Sequence, residues 1–332
     1  MVSSKTKLIS IIALIIIVSS GIFAGIYLYQ IFSSSPIKLG ALSGDLHHLP
    51  LFVALENHYF EDEDLDIQSD DIIWFPNGNE AMVAFEAGRL DMSYLGLAPA
   101  MAHKLTQNAP IKVVSGVNVN GSAIMVRDDP LITNIANLSN IAVPSLNNMQ
   151  DFILQIALNN SGISVEEVNR PVLSVGNMEN ELNIGSIDGF VAWEPFNAKA
   201  ADTVAKYLYY SSEIWPNHPC CVIASSLDFM VKESEVVEKI IRIHKKAVNW
   251  MKQPSNLGDL INIAKKYTSI QENSIIETAL DNIGYIFNFS EYQSQINVFY
   301  DRLVELNDNI NGWSEGRSAF FYEFLESRYL DS

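Results

Sequence analysis

A short pattern that occurs twice constrains the fold of this chain more than any single element. Residues 88–96 read GRLDMSYLG and residues 185–193 read GSIDGFVAW, and each run continues to a proline, Pro99 or Pro195. Each copy predicts a helix that ends at glycine, a turn at aspartate, a buried strand and a loop leaving the carboxyl end of that strand. Two related half-molecules would bring such loops from two sheets into one shared cleft.

After Pro36, short β-rich runs alternate with helical patterns, which predicts an α/β fold with mostly parallel sheets. The predicted strands are Ile37–Leu42, Ile72–Phe75, Met92–Tyr94, Ile111–Val117, Ala123–Val126, Ile141–Pro144, Gly189–Ala192 and Cys221–Ala224. The predicted helices are Pro50–His58, Asn79–Ala87, Pro99–Thr106, Met149–Ser161 and Glu179–Ile184. Beyond about Ser225 the apolar spacing is helical, and His244 lies on the apolar stripe of one such helix, where we expect it to be packed.

The size of the chain favours two lobes. With 332 residues, 48% hydrophobic and 18% charged, the chain is too long for one ordinary domain and can bury a large core. We expect residues 1–35 to be a membrane segment and the two lobes to be built from residues 36–332.

The N-terminal segment predicts attachment to a membrane. Leu8 to Phe32 contains no charged side chain and is long enough to cross a hydrocarbon core of about 30 Å. Lys5 and Lys7 precede it, which favours a cytoplasmic N-terminus and places the rest of the chain outside. A cleaved signal peptide is the alternative; an uncleaved single span is favoured because the apolar stretch is long and no clear small-residue cleavage site follows.

Charge and cysteine content exclude some classes of partner and fold. The formal net charge is −18, and an acidic surface is unsuited to neutralising phosphates, so we expect no nucleic-acid partner. Cys220 and Cys221 are adjacent, so they cannot form the long-loop disulfides of small secreted proteins. We expect a monomer that is stabilised by its core.

Four segments, in this order, resemble the periplasmic binding proteins for nitrate, sulfonates, taurine and thiamine-pyrimidine precursors. They are Ile37–Ile67, Asn77–Pro99, Ile141–Phe152 and Asp188–Phe196. The resemblance implies a periplasmic-binding-protein-like fold with two lobes and a hinge, which closes on a small anion or heterocycle and then engages an ABC permease. It also implies that residues 36–121 build the first part of lobe 1, 122–224 build lobe 2, and 225–332 return to lobe 1, with crossings near Gly121 and near Ser225. It implies a solute-binding role in import, with no catalysis and no cofactor. A ligand-sensing ectodomain is a weaker alternative.

Candidate ligand-binding residues lie where predicted strands end and helices begin. Such helix starts present free N–H groups and partial positive charge. In the first lobe the candidates are His47, His48, Asn77, Gly78, Gly96 and Ala98, and in the second they begin with Ser145 and Gln150. Ordinary turn, packing and capping roles are the alternative for each of them. None of these loops contains Lys or Arg, so an anion would depend on neutral donors and helix ends.

Trp193 and Glu194 complete the second-lobe candidates. An aromatic face beside a carboxylate suits a flat ligand that carries an amine, through stacking and hydrogen bonding. The alternative is a half-buried structural Trp next to a surface Glu.

His218-Pro219-Cys220-Cys221 admits three interpretations. Buried structural thiols or a vicinal disulfide are favoured, ligand contact through His218 and Cys220 comes second, and a metal site third, because adjacent cysteines seldom point at one ion. The resemblance includes the fungal thiamine-pyrimidine synthase, so a related metal-dependent enzyme, with His218, Cys220 and Cys221 holding iron, is the alternative function. This chain lacks the longer cysteine cluster of that synthase, and we therefore expect no metal.

Overall fold

The computed structural model describes residues 36–305 and 310–330. The described residues from Lys38 onward form one compact unit. The predicted membrane span, Leu8 to Phe32, lies outside the described residues. Among the helices within these ranges, none combines the length and the apolar character needed to cross a bilayer.

The described strands form two sheets. They are β1 (Leu39–Leu42), β2 (Ile73–Phe75), β3 (Met92–Gly96), β4 (Ile111–Asn120), β5 (Ser122–Arg127), β6 (Ile141–Ala142), β7 (Gly189–Trp193), β8 (Ala205–Tyr210), β9 (Pro219–Ser226) and β10 (Ile283–Tyr285). The larger sheet has six strands in the order β10-β4-β9-β3-β1-β2, and the smaller sheet has four in the order β6-β7-β5-β8. A two-sheet α/β fold is confirmed, and β8 and β10 are strands that the sequence patterns had not indicated.

Helices connect and cover the sheets. They are α1 (Leu49–Glu56), α2 (Gly78–Glu86), α3 (Leu97–Gln107), α4 (Met149–Asn160), α5 (Val175–Asn183), α6 (Phe196–Ala201), α7 (Ser211–Ile214), α8 (Leu227–Lys232), α9 (Ser234–Met251), α10 (Leu257–Tyr267), α11 (Asn273–Asp281), α12 (Gln293–Glu305) and α13 (Arg317–Phe324). The long amphipathic helix α9 packs against α1, and its apolar stripe is buried, which confirms the helical spacing seen after Ser225.

The expectation of mostly parallel sheets is wrong. Parallel pairing joins β1 to β2, β1 to β3, and β6 to β7, each of which is connected through helices. Antiparallel pairing joins β10 to β4, β3 to β9, β4 to β9, β5 to β7, and β5 to β8. The physical reason is the path of the chain: a strand that arrives from the other sheet needs no crossover helix and can run against its neighbours.

The chain passes from the larger sheet to the smaller one at Gly121, between β4 and β5. Gly121 has φ +86°, and an added Cβ would lie 2.2 Å from Nε2 of His47, so only glycine fits this crossing. The larger sheet resumes at Pro219, the first residue of β9, several residues before the predicted return near Ser225.

The repeated sequence pattern corresponds to a repeated structure. Gly88 and Gly185 have φ of +65° and +78°, in the left-handed region that ends a helix. Asp91 then accepts the Lys38 N–H at 2.8 Å at the start of β1, and Asp188 accepts the Asn140 N–H at 2.9 Å at the start of β6. Each aspartate thereby ties its own strand, β3 or β7, to the parallel neighbour, and the carboxyl ends of the paired strands lie together.

Candidate functional site

A small pocket lies where the strand ends of the two sheets meet. The carboxyl ends of β1 and β3 and the amino end of β9 face the carboxyl end of β7 and the start of α4. The lining residues are Leu42, Asp45, His47, Asn77, Gly78, Gly96, Pro99, Asn148, Met149, Gln150, Trp193, Cys220 and Cys221. The cavity measures about 20 Å³, room for about one water molecule, so the two sides are closed against each other.

The pocket gathers seven of the twelve predicted site residues from six separate segments. Those that line it are His47, Asn77, Gly78, Gly96, Gln150, Trp193 and Cys220. The pocket lining does not include His48, Ala98, Ser145, Glu194 or His218.

Three helices begin at the pocket. Asn77 caps α2 by accepting the Glu80 N–H at 3.1 Å, and Asn148 caps α4 by accepting the Asp151 N–H at 2.9 Å. At Gly78 an added Cβ would lie 2.6 Å from Cγ of Pro99, so glycine allows the starts of α2 and α3 to approach closely. The free N–H groups of these helix starts give the pocket a partial positive character.

Side chains join the two sides of the pocket rim. Asn79 of α2 donates to the Ser145 hydroxyl at 3.3 Å and to the Leu146 carbonyl at 3.4 Å. Ser145 therefore lies at the rim and bonds to the opposite side. Within the smaller-sheet side, Gln150 donates to the Ser122 hydroxyl at 3.0 Å, which orients the amide that lines the pocket.

The floor of the pocket is a cluster of buried reactive side chains. Nδ1 of His47 lies 3.6 Å from Sγ of Cys220, 3.7 Å from Sγ of Cys221 and 3.5 Å from Oδ1 of Asp45. Nε2 of His47 donates to the Gly121 carbonyl at 3.0 Å. All four side chains are at most 3% exposed, and both thiols are free.

These groups shift one another's pKa values. Burial raises the pKa of Asp45 to about 7, although His47 opposes the shift. Burial lowers the pKa of His47, but the negative charges of Cys220 and Asp45 outweigh it and raise the pKa to about 9. The hydrogen bond from Cys221 and the nearby His47 hold the pKa of Cys220 well below its ordinary value, while burial raises that of Cys221.

The cluster does not have the geometry of a nucleophilic triad. In such a triad the carboxylate bonds to the imidazole nitrogen that the nucleophile does not use. Here Asp45 and both thiols face the same nitrogen, Nδ1 of His47, while a backbone carbonyl holds the other.

His48 has a structural role in this conformation. Its Nδ1 accepts the Leu42 N–H at 3.0 Å, which fixes the end of β1 and places the imidazole proton on Nε2. The ring packs against Tyr94 at a centroid distance of 5.7 Å. Burial, with the charge of His47, holds the pKa of His48 well below its ordinary value, so the ring is neutral.

Glu194 is buried, which overturns the alternative of a surface carboxylate, and it joins the two sheets. Its Oε1 accepts from Tyr207 at 3.0 Å and from Asn282 at 2.9 Å, and its Oε2 accepts the Ala198 N–H at 3.0 Å. Burial raises the pKa of Glu194 to about 7, although these donors partly oppose it.

Trp193 lines the pocket beside Glu194 and is 3% exposed. Within residues 36–305 and 310–330, its indole N–H has no hydrogen-bond partner. The indole therefore offers a free donor at the pocket wall.

Among the described residues, His218, Cys220 and Cys221, the set that the alternative metal-dependent function would need, do not come together. The His218 ring stacks on Trp215 at a centroid distance of 5.8 Å, and its Nδ1 donates to the Pro219 carbonyl at 3.4 Å. The imidazole that faces both thiols is His47, which the chain places more than 170 residues away.

Sequence reasoning missed Leu42, Asp45, Pro99, Asn148, Met149 and Cys221 as lining residues. The sequence offered one signal for Asp45, because an Asp two residues before His47 can cap a helix start. In the structure Asp45 accepts the His47 N–H at 2.9 Å as such a cap. The sequence also offered a signal for Asn148, because Asn before a helical run is typical of an N-cap. A helix start at a strand end is a common place for a ligand.

Known proteins share this architecture. The sequence profile of the NMT1-like family matches residues 34–265. No curated protein matches the chain by sequence. Among solved structures, the ligand-binding component of an ABC-type import system from Staphylococcus aureus, determined with zinc bound, matches with a TM-score of 0.73 and 18% identity, covering 89% of this chain and 98% of that one.

Two other solved structures have stated ligands. The periplasmic aliphatic sulphonate binding protein of Escherichia coli matches with a TM-score of 0.67 and 16% identity, covering 84% of this chain and 96% of that one. The periplasmic nitrate-binding protein of Synechocystis matches with a TM-score of 0.64 and 15% identity, covering 73% and 69%. These three proteins are described as binding proteins rather than enzymes, and at such identities the likeness establishes the fold.

The family profile covers more than half of the chain. The predicted resemblance is confirmed, and the chain belongs to the NMT1-like family.

Proposed function

We propose that this protein is the solute-binding component of an ABC importer and that it works outside the cytoplasm. The observation that carries the proposal is the composition of the pocket wall. Gly78, Gly96 and Cys220 belong to the larger-sheet side, while Gln150 and Trp193 belong to the smaller-sheet side. A solute held between them gains contacts with both sides only when they close, so binding favours the closed form that a permease can recognise.

The pocket lining favours a small anion or a polar heterocycle as the solute. The starts of α2, α3 and α4 supply backbone N–H groups, Gln150 supplies an amide, and Trp193 supplies an indole donor. The described lining residues include no Lys or Arg, and His47, whose raised pKa favours the protonated ring, is the one basic side chain among them. Because the closed cavity holds about one water, any such solute requires the two sides to separate first.

The relatives support the same class of solute. Two are described as binding an aliphatic sulphonate or nitrate, and the third, determined with zinc bound, belongs to an ABC-type import system. We extend to this chain the general role, a small solute delivered to a membrane permease.

The proposal includes a membrane tether. Leu8 to Phe32 would span the bilayer once, with Lys5 and Lys7 inside and the binding domain outside. Alkaline extraction of membranes and N-terminal sequencing of the mature protein test this: an uncleaved chain that stays with the membrane is expected. A chain released into the soluble fraction with residues 1–35 removed would contradict it.

The solute is tested with the purified full chain in detergent. Nitrate, bicarbonate, taurine, alkanesulfonates and aminopyrimidines are titrated by calorimetry and by tryptophan fluorescence. One of them is expected to bind and to change the fluorescence, and the change should disappear in Trp193→Phe but persist in Trp74→Phe, a Trp on β2 outside the pocket lining. Absence of binding across the panel would contradict this solute class, and binding without any change in molecular dimensions by small-angle scattering would contradict closure.

A further inference from the structure

Three side chains on the pocket floor, His47, Cys220 and Cys221, have their ligand atoms gathered around one point, and Asp45 lies beside His47. Two thiols, an imidazole and a carboxylate are the ligand types that zinc prefers, and a tetrahedral set of four is its usual coordination. His47, Cys220 and Cys221 have ligand atoms that all lie within 4.8 Å of one another. Asp45 belongs to a second set of the same compactness, with His48 and Cys221.

The distances match those that a tetrahedral ion imposes. With bonds of about 2.3 Å to sulfur and about 2.0 Å to nitrogen, such an ion separates two sulfurs by about 3.8 Å and a sulfur from a nitrogen by about 3.5 Å. The observed separations are 3.9 Å between the two Sγ atoms, and 3.6 and 3.7 Å from each Sγ to Nδ1 of His47. Two sulfurs joined in a disulfide would be about 2.0 Å apart.

A bulge in β9 explains how adjacent cysteines reach one point. Regular strand geometry sends successive side chains to opposite faces. In the pairing of β9 with β4, Cys221 lies opposite Asn118 and Pro219 opposite Val119, so Cys220 is the additional residue. A bulge re-aims the side chain at such a position, and here both thiols turn to His47.

The hydrogen bonding of the His47 imidazole also suits a metal ligand. Nε2 of His47 donates to the Gly121 carbonyl at 3.0 Å, an outer contact typical of metal-binding histidines, and this leaves Nδ1 for the ion. His48 is excluded in this conformation, because its Nδ1 accepts the Leu42 N–H and its Nε2 then carries the proton.

We propose that His47, Cys220, Cys221 and Asp45 bind one zinc-class divalent ion at the floor of the pocket. The ion is resident rather than transported. All four ligands follow β1 or lie on β9, both in the larger sheet, whereas the proposed solute is held from both sides. The inference goes beyond the proposed solute-binding function and does not depend on it.

The test measures metal directly on the reduced full chain in detergent. After zinc loading and dialysis, one zinc per chain is expected by elemental analysis. Cobalt in place of zinc is expected to produce a thiolate-to-cobalt charge-transfer band and the strong visible bands of tetrahedral cobalt. Zinc affinity is then measured by competition with a chelator.

Matched variants identify the ligands. Cys220→Ser, Cys221→Ser and His47→Gln should each weaken zinc binding by at least about 100-fold, because the loss of an outer-shell partner alone costs about 10- to 100-fold. His103→Gln, at a histidine bonded to Glu86 outside the cluster, should bind zinc as the wild type does. Circular dichroism confirms that each variant is folded.

The measurements on the reduced wild-type protein decide the proposal even if a variant does not fold. Sub-stoichiometric zinc in the reduced wild-type protein, or cobalt bound without a thiolate band, overturns the proposal, as do folded serine variants with wild-type zinc affinity. Solute titration of metal-free and zinc-loaded protein is a separate measurement. If the protein binds no zinc but still binds a solute, the proposed solute-binding function stands and only the zinc proposal fails.

Discussion

Backbone groups set the tautomers of the buried histidines. His47 donates to the Gly121 carbonyl, and His48 accepts the Leu42 N–H. His244 both donates and accepts hydrogen bonds. Nε2 of His244 donates to the Gly116 and Ile286 carbonyls at 3.0 and 3.1 Å, and its Nδ1 accepts from Tyr94 at 3.3 Å. A neutral ring satisfies all of these contacts, so protonation of His244 would remove one of them.

The His244 contacts predict a pH dependence of stability. Burial lowers the pKa of His244 to about 4, with the carbonyls in partial opposition, while the unfolded chain titrates near 6.5. As pH falls from about 6.5 to 4, the unfolded state takes up a proton that the folded state refuses, so the free energy of unfolding decreases. The loss from this residue should reach about 3 kcal/mol.

Urea unfolding at several pH values measures this effect in the wild type and in His244→Gln. The variant lacks the titrating group and should show a shallower decrease between pH 6.5 and 4. Equal slopes in the two proteins would contradict the prediction.

At Gly121, the addition of a single methyl group should lower the free energy of unfolding strongly. Gly121→Ala combines a φ of +86° with a Cβ only 2.2 Å from His47, whereas Gly162→Ala has φ +70° and open space around it. The control should lose about 1 kcal/mol from backbone strain alone. For Gly121→Ala, the free energy of unfolding should fall by at least twice as much as for the control. Chemical denaturation measures both values, and similar losses in the two variants would show that the contact with His47 is unimportant.

At the scale of elements, the site is built from helix starts and an irregular strand. Helices α2, α3 and α4 begin at the pocket, and their N–H groups face it because each follows a strand or loop at that edge of a sheet. The bulge in β9 places two adjacent thiols on one side. Regular elements alone would have presented neither feature.

The start of α4 can be tested through its cap. Asn148→Ala removes the acceptor for the Asp151 N–H and should lower the free energy of unfolding by about 1 kcal/mol. Asn148→Ser supplies a hydroxyl acceptor and should retain most of the stability. Thermal or urea unfolding without solute compares the three proteins, and an equal loss in both variants would assign the effect to packing instead of capping.

At the scale of the whole molecule, the closed pocket depends on few polar contacts. Asn79 bonds to Ser145 and Leu146 at the rim. Glu194, which follows β7 of the smaller sheet, accepts from the Asn282 side chain and, at its carbonyl, from the Leu46 N–H. Such sparse bonding is consistent with sides that separate to admit a solute, because each neutral hydrogen bond contributes only about 1 kcal/mol.

Removal of the rim contact should shift the closing equilibrium. Asn79→Ala should weaken the binding of whichever panel solute binds by about 2- to 10-fold, because the closed form loses about 0.5–1.5 kcal/mol. Asn177→Ala, an exposed position on α5, should leave the dissociation constant unchanged. Calorimetric titration of both variants measures it, and unchanged affinity in Asn79→Ala would show that the rim bond does not stabilise closure.

Local patterns along the chain were sufficient for most of the strands, although not for β8 and β10, and for the edge where the site lies. The repeated Gly–Asp turn, the alternating runs and the Asn–Gly loops indicated two sheets whose strand ends meet, because these signals depend only on neighbours within a few residues. They also indicated His47, Gln150 and Trp193 as pocket residues.

Tertiary structure alone decided which side chains face one another. His47 meets Cys220 because β9 pairs with β3 and β4 at the end of the larger sheet, and Glu194 is buried among Tyr207, Asn282 and Ala198 because segments distant in sequence cover it. Strand direction and the bulge in β9 arise in the same way. Pairings between distant segments follow from how whole sheets pack, and no short stretch of sequence encodes them.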